Sequence, residues 1–261
     1  MEHLKVVVFT QQDRFFIPTN IIKTSKVCSI VEVVNIESKY SFASKKSEMI
    51  RMFGFWQCAK MGIVQGFSVF EDILDIISGY CLFGGTKSIK RAAIKIGARY
   101  QVINNVNAPD FVEYIKTINP DLIISFSAPQ IIKPELLNVP KFGIINVHGA
   151  MLPNYRGALP SFWHLFNNEK TAGATVHYMS AAIDDGDIIV QGPVDISDCK
   201  TMYDVINRTK EKGGELMVEA IKKISAGDVS AIPNKTEEGS YFNWPTIEQA
   251  KLFRKKGKRL V

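Results

Sequence analysis

Short apolar runs alternate along the chain with segments whose apolar positions recur at helical spacing. "LKVVVFT", Leu4 to Thr10, and "SIVEVVNI", Ser29 to Ile36, are rich in β-branched residues and predict the first two strands. Between Ser44 and Gly97 the pattern turns helical. There "KSIKRAAIKIGARYQVI" predicts an amphipathic helix ending at Gly97 and then a short strand. "APDFVEYIKTINPD" predicts a helix with Asp110 near its start and Pro120 past its end; "LIISFS", Leu122 to Ser127, and "KFGIINVH" predict buried strands. "GALPSFWHLFNNEK" predicts a helix, "TAGATVHYMS" (Thr171 to Ser180) and "GDIIVQGPVDI" two strands, and Thr201 to Gly227 a long helix. Strands alternating with helices predict an α/β fold with a Rossmann-like, doubly wound and mostly parallel sheet. No internal repeat or low-complexity tract interrupts it.

Composition narrows the class. The chain has 261 residues, 46% of them hydrophobic, which allows a sizeable core. No apolar stretch approaches the roughly 20 residues that span a bilayer, and the N-terminal run reads as a strand rather than a secretory leader. Cys28, Cys58, Cys81 and Cys199 form no CxxC pair, so neither a zinc site nor a disulfide framework is expected. A cytoplasmic protein without a membrane partner is the natural expectation. The net charge of +6 is local: the last eleven residues, "KLFRKKGKRLV", hold six bases and no acid, and the remaining 26 bases equal the 26 acids. Such a tail can attract phosphates or can simply be solvated.

Several chemistries lose their support. "QQDRFF" follows the first strand where a dinucleotide-binding GxGxxG would stand, and P-loop, HExxH and GxSxG motifs are missing. "DDGD", Asp184 to Asp187, lacks the spacing of a calcium loop. What remains is a set of polar residues at the carboxyl ends of buried strands, where ligands sit in open α/β sheets. Asn146 and His148 end one strand, and their i, i+2 spacing points both side chains to one side. Asp184 opens the loop after another. Asn, His and Asp together suit acyl transfer to an amine. An amide N–H can donate to a developing oxyanion. An imidazole can take the amine's proton or, protonated, steady the oxyanion, and a carboxylate beside it would orient the ring and favour its charged form. Taken singly, each has a plainer reading: a turn-forming Asn, a core His, a surface Asp turn. Composition and spacing therefore stop at an α/β domain with a polar strand-end cluster.

"FGIINVHGAMLPNYRGALPSFWHLFNNEKTAGATVHYMSAAIDDGDII", Phe142 to Ile189, closely resembles the core of the N10-formyltetrahydrofolate-dependent formyltransferases, in which an N-x-H pair, an LPxYRG loop and a D-x-G-D segment occur in this order. The resemblance implies that Asn146, His148 and Asp184 are catalytic and that N10-formyltetrahydrofolate is the co-substrate. It implies a pterin pocket built from "SAPQII", with Pro129, Gln130, Ile131 and Ile132, and from "SAAID" onward, with Ala182 and Asp187. Asp185 stands where Thr is frequent in related enzymes. Arg156 in the "LPNYRG" loop either grips a substrate phosphate or braces the loop. The resemblance also implies a catalytic domain over residues 1–230 with an aromatic and basic extension over residues 231–261.

Family members act on methionyl-tRNA, glycinamide ribonucleotide or nucleotide-linked amino sugars. A methionyl-tRNA enzyme carries a further C-terminal barrel, whereas about thirty-five residues follow the long helix here. The ending "GSYFNWPTIEQAKLFRKKGKRLV" resembles the tails of sugar N-formyltransferases. On that resemblance the expected acceptor is a dideoxy-amino sugar on a nucleoside diphosphate, dTDP above all, for surface polysaccharide synthesis, with no nucleic-acid partner. Tyr241, Phe242 and Trp244 would stack on the base or pack the tail onto the body. A homodimer is what related enzymes suggest. A non-catalytic folate or nucleotide-sugar binder on the same fold is the alternative from another class.

Overall fold

A computed structural model of the chain describes residues 3–37 and 46–261, so Ser44, the expected start of the helical stretch, lies outside the described residues. Nine strands are described: β1 (Lys5–Thr10), β2 (Ser29–Ile36), β3 (Arg99–Ile103), β4 (Leu122–Phe126), β5 (Ile144–His148), β6 (Arg156–Gly157), β7 (Thr171–Tyr178), β8 (Ile188–Asp195) and β9 (Tyr241–Phe242). The helices are α1 (Ile17–Thr24), α2 (Lys46–Phe53), α3 (Phe55–Ile77), α4 (Ile89–Lys95), α5 (Pro109–Ile118), α6 (Pro134–Leu137), α7 (Pro160–Phe166), α8 (Met202–Ala226) and α9 (Ile247–Lys255).

Seven strands form one sheet in the order β3-β2-β1-β4-β5-β7-β8. Its first five strands are mutually parallel, as expected, and β7 and β8 run antiparallel to their neighbours. The reversal between β7 and β8 has a local cause. Only the loop from 179 to 187 joins β7 to β8, too short for the crossover that a parallel pair requires. Two apolar clusters cover the faces of the sheet, one around Val6, Val8, Ile124 and α8, the other around Val7, Phe9, Ile123 and α5.

Helix α8 sets the position of β5. Its start is fixed by a capping box between Thr201 and Asp204, and Gly227 closes it at φ 70°. A Cβ on Gly213 would meet Val147 Cγ2 at 2.6 Å, so glycine is what lets the helix lie this close to the strand carrying Asn146 and His148.

The C-terminal extension is built into the body. Phe253 and Ala250 are fully buried in a third cluster with Phe53, Phe162 and Trp163, and Phe253 stacks on Phe162 at 4.5 Å. Strand β9 pairs with β6, and Met202 N–H donates to Arg259 O at 2.8 Å. The basic tail is therefore anchored by its apolar residues, with Lys256 donating to Phe166 O at 2.7 Å while Lys251 and Lys255 face water. Truncating Phe253→Ala is expected to remove about 3–5 kcal/mol of stability. Urea unfolding measures it, and a loss near zero would mean that the extension does not fold with the body.

Candidate active site

Strand pairing assembles the site. On β5, Asn146 lies opposite His177 of antiparallel β7, and His148 lies opposite Thr175. Facing residues share one side of the sheet, and here this brings Asn146 Nδ2 within 3.3 Å of His177 Nε2. Asp184 enters from the β7–β8 loop in the left-handed region, at φ 49°, a conformation that Asp tolerates better than most residues. Its Oδ2 accepts the Gly157 N–H at 2.9 Å and lies 3.5 Å from His148 Nδ1, and its Oδ1 lies 3.7 Å from His177 Nε2. One half-buried carboxylate thus faces two imidazoles.

The hydrogen bonds assign the protons. His177 Nδ1 faces the Tyr178 carbonyl at 2.8 Å and must donate there, which leaves Nε2 to accept from the Asn146 amide. Burial drives the His177 pKa down to about 4 against the pull of Asp184, so the ring is neutral near pH 7. A neutral acceptor at that point holds the Asn146 amide with its NH₂ toward β7 and leaves one N–H for a ligand. His148 Nε2 donates to Tyr155 O at 2.8 Å, and its Nδ1 faces Asp184. The carbonyl on one side and the carboxylate on the other fix the orientation of the ring.

The loop over the site is pinned at several points. Thr175 Oγ1 donates to Ala150 O at 2.7 Å and accepts from Leu152 N at 3.1 Å. Tyr155 lies between the rings of His164 and Phe242, at 4.1 and 5.1 Å, and its hydroxyl donates to Glu169 at 2.6 Å. Burial, with Glu169 beside it, pushes the Tyr155 pKa up to about 12. Arg156 donates to the carbonyls of Asp184 at 3.0 Å and Ile183 at 2.9 Å and lies 3.5 Å from Asp185 Oδ1. Its guanidinium is committed to the loop, so of the two roles expected for it the geometry favours bracing over phosphate capture. Asp185 serves the same brace.

The other expected residues separate. Ile131 is 57% exposed beside the β4 end, whereas Ile132 is a core residue packed among the apolar side chains around α5. Ile132 therefore supports the strand end from below instead of lining a pocket. Gln130 spends its amide on Val106 N–H and Asn104 O, at 3.0 and 2.7 Å, which ties its loop down. Pro129 is half-buried between them, and Ala182 and Asp187 are exposed on the loop before β8. Phe242 stacks on Trp163 at 4.7 Å and Trp244 packs into the same cluster, so these two rings hold the extension onto the body. Tyr241 is 48% exposed, with the Arg156 guanidinium 5.9 Å from its ring centre.

Three contributors escaped sequence reasoning. His177 reads as one more residue of a small-residue strand until β7 is known to pair with β5. Asn234 Nδ2, which donates to Asp184 O at 3.0 Å, lies fifty positions away. Lys210 on α8 has its ammonium on Ser127 Oγ at the β4 end, and burial lowers its pKa.

Against known proteins, residues 86–221, more than half of the chain, match the formyl transferase family. The chain belongs to the formyl transferase family. The methionyl-tRNA formyltransferase of Acetivibrio thermocellus is 35% identical over 153 residues, 59% of this chain and 49% of that protein. The chain thus spans about half the length of that curated relative. Glycinamide ribonucleotide transformylase 1 from Symbiobacterium toebii shares the fold with a TM-score of 0.59 at 16% identity, over 86% of this chain and 89% of that one. A sugar 3N-formyl transferase solved in the presence of dTDP and 5-N-formyl-THF shares it with a TM-score of 0.58 at 18% identity, over 93% of this chain and 70% of that one. Proteins named for three different acceptors carry this family's architecture, so the fold by itself does not select the acceptor. No described helix is long and apolar enough to cross a membrane.

Neutral His177 binds fewer protons in the native state than in the unfolded chain between its depressed value of about 4 and the ordinary histidine value of about 6.5. Stability should therefore rise with pH across that window, with buried His164 shifted the same way. His177→Gln should flatten the rise in urea midpoint. Equal pH slopes for the two proteins would contradict the assignment.

Proposed function

We propose that this chain transfers a formyl group from N10-formyltetrahydrofolate to the amino group of a nucleotide-linked dideoxy-amino sugar. The observation that carries the formyl-transfer reading is the meeting of Asn146, His148 and Asp184 at the end of β5, His148 buried and the other two half-buried, with one amide N–H uncommitted. Bound N10-formyltetrahydrofolate supplies an activated formyl carbon on a nitrogen that can leave with a proton. The residues present suit it: an amide donor at the strand end, exposed Ile131 as an apolar wall, and the exposed backbone of residues 181–183 opposite.

Asn146 donates its free N–H to the formyl oxygen as negative charge gathers there, and His177 keeps the amide from rotating away. Asp184 orients the His148 ring, whose Nδ1 takes up the proton that the attacking amine sheds with the carboxylate beside it. Gly157 N–H holds the carboxylate in place throughout.

The acceptor assignment rests on the extension. It leaves Tyr241 half exposed beside Arg156, which itself grips the carbonyl of Asp184, so a flat ring stands at the edge of the site. A nucleotide base stacking there would orient a linked sugar amine toward Asn146. The dTDP series and a role in surface polysaccharide synthesis are the specific form of this reading. Methionyl-tRNA is the second reading, favoured by the 35% identity to the relative named for it.

The test is a mass-spectrometric formylation assay with N10-formyltetrahydrofolate, a panel of dTDP-, UDP- and GDP-linked amino sugars, methionyl-tRNA and glycinamide ribonucleotide. One formyl group gained by a dTDP-sugar supports the proposal. Gain on the tRNA alone would replace the acceptor and leave the mechanism standing. Asn146→Ala should lower turnover about 10²–10³-fold with the fold intact, and His148→Ala should abolish turnover while donor binding persists. Near-normal rates in either would sink the roles given to these side chains.

A further inference from the structure

Helix α3 is inverted for a helix at a protein surface. Its first half packs Cys58 and Met61 against the Phe53 cluster and leaves Lys60 exposed, and its second half turns its polar side to the body. The fully buried Asp75 carboxylate accepts the backbone N–H groups of Phe83, Gly84 and Gly85 at 2.7, 3.0 and 2.6 Å. Asp72 lies 3.8 Å from Arg14, and Glu71 lies 2.8 Å from Lys87. Its apolar side faces outward. Trp56 is 77% exposed, Ile77 76%, Phe67 65%, Ile63 59%, Phe70 56% and Ile73 47%. With 3.6 residues per turn these positions form one continuous stripe. An exposed patch of this kind marks an interaction surface.

The spacing along the stripe names the occupant. Trp56, Ala59, Ile63, Gly66, Phe70, Ile73 and Ile77 succeed one another in alternating steps of three and four, a heptad seam held over the length of the helix. Bulky and small residues alternate along it from Trp56 to Phe70. In an antiparallel pair about a two-fold axis, the register that sets Ile63 against Gly66 also sets Phe70 against Ala59 and Trp56 against Ile73. The surface is then complementary to itself, as a two-fold interface requires. No charged residue lies on the seam. Helices that lie in a membrane surface display Lys and Arg on their polar face, whereas the polar face of α3 carries Glu71, Asp72 and Asp75, turned toward the protein. Covering the outward side chains of α3 would remove on the order of 800 Å² per copy, the amount typical of a specific interface.

We propose that the chain forms a two-fold homodimer in which α3 packs antiparallel on α3 of a second copy. The body-facing acids then tie the interface to Arg14 and Lys87 on the loops before α1 and α4. Sedimentation of the full chain at micromolar concentration should show a dimer. Phe70→Glu and Gly66→Glu should each raise the dimer dissociation constant about a hundredfold or more, with helical circular dichroism unchanged. Ile94→Glu, a charge placed on an exposed apolar residue of α4, should leave the dimer intact. A wild-type chain that stays monomeric overturns the proposal, and its pelleting with anionic phospholipid vesicles would assign the face to lipid instead. A dimer that survives both glutamates overturns it too, since the contact would then lie elsewhere.

Discussion

The antiparallel pairing of β7 on β5 is the constraint on which the site depends. A parallel strand would need a crossover and would not bring a loop straight back to the end of β5. Because β7 runs antiparallel to β5, His177 stands opposite Asn146, and Asp184 follows six residues after the end of β7. The sheet therefore supplies two residues of the cluster from β5, one from β7 and one from the loop, all within a few ångströms. Once the strands pair, little further ordering is needed, because backbone hydrogen bonds already fix their relative height.

Burial then differentiates the two imidazoles around Asp184. His177 lies deeper, and the cost of charging it there outweighs the neighbouring carboxylate, so it serves as an acceptor that holds an amide. His148 has a carbonyl on its other flank, and its ring is a donor on that side. The same carboxylate thus supports different roles in two rings because desolvation and hydrogen bonding differ between them. The loop that closes over the pair is held by side chains from distant parts of the chain, including Ser240 and Asn234, which is why the extension after α8 belongs to the site's architecture.

Stability and association meet in α3. A helix that turns carboxylates inward can do so only where backbone N–H groups and cations receive them, and the Phe83–Gly85 turn, Arg14 and Lys87 provide those partners. Satisfying the polar face inside leaves the apolar face outside, and the seam of heptad spacing is the consequence for a second copy.

The parallel strands β1, β2, β4 and β5 and the helices α5 and α8 were legible in the sequence, because apolar runs and capping residues are local signals. Asn146, His148 and Asp184 were legible as well, through their motifs. The parts that were not legible depend on pairing between distant segments. His177 becomes part of the site only through its register with Asn146, Arg156 proves to be a brace only when the Ile183 and Asp184 carbonyls are beside it, and Ile132 turns out to face the core. Phe242 and Trp244 likewise pack inward because Phe162 and Trp163 wait there. The sequence by itself determined which segments become strands and helices and which residue types reach the strand ends, since those follow from side-chain period and backbone preference. Only the tertiary structure decided which imidazole is held neutral, which aromatic is buried and which face of α3 meets water. Desolvation and hydrogen-bond completion depend on neighbours that the order of residues along the chain does not place.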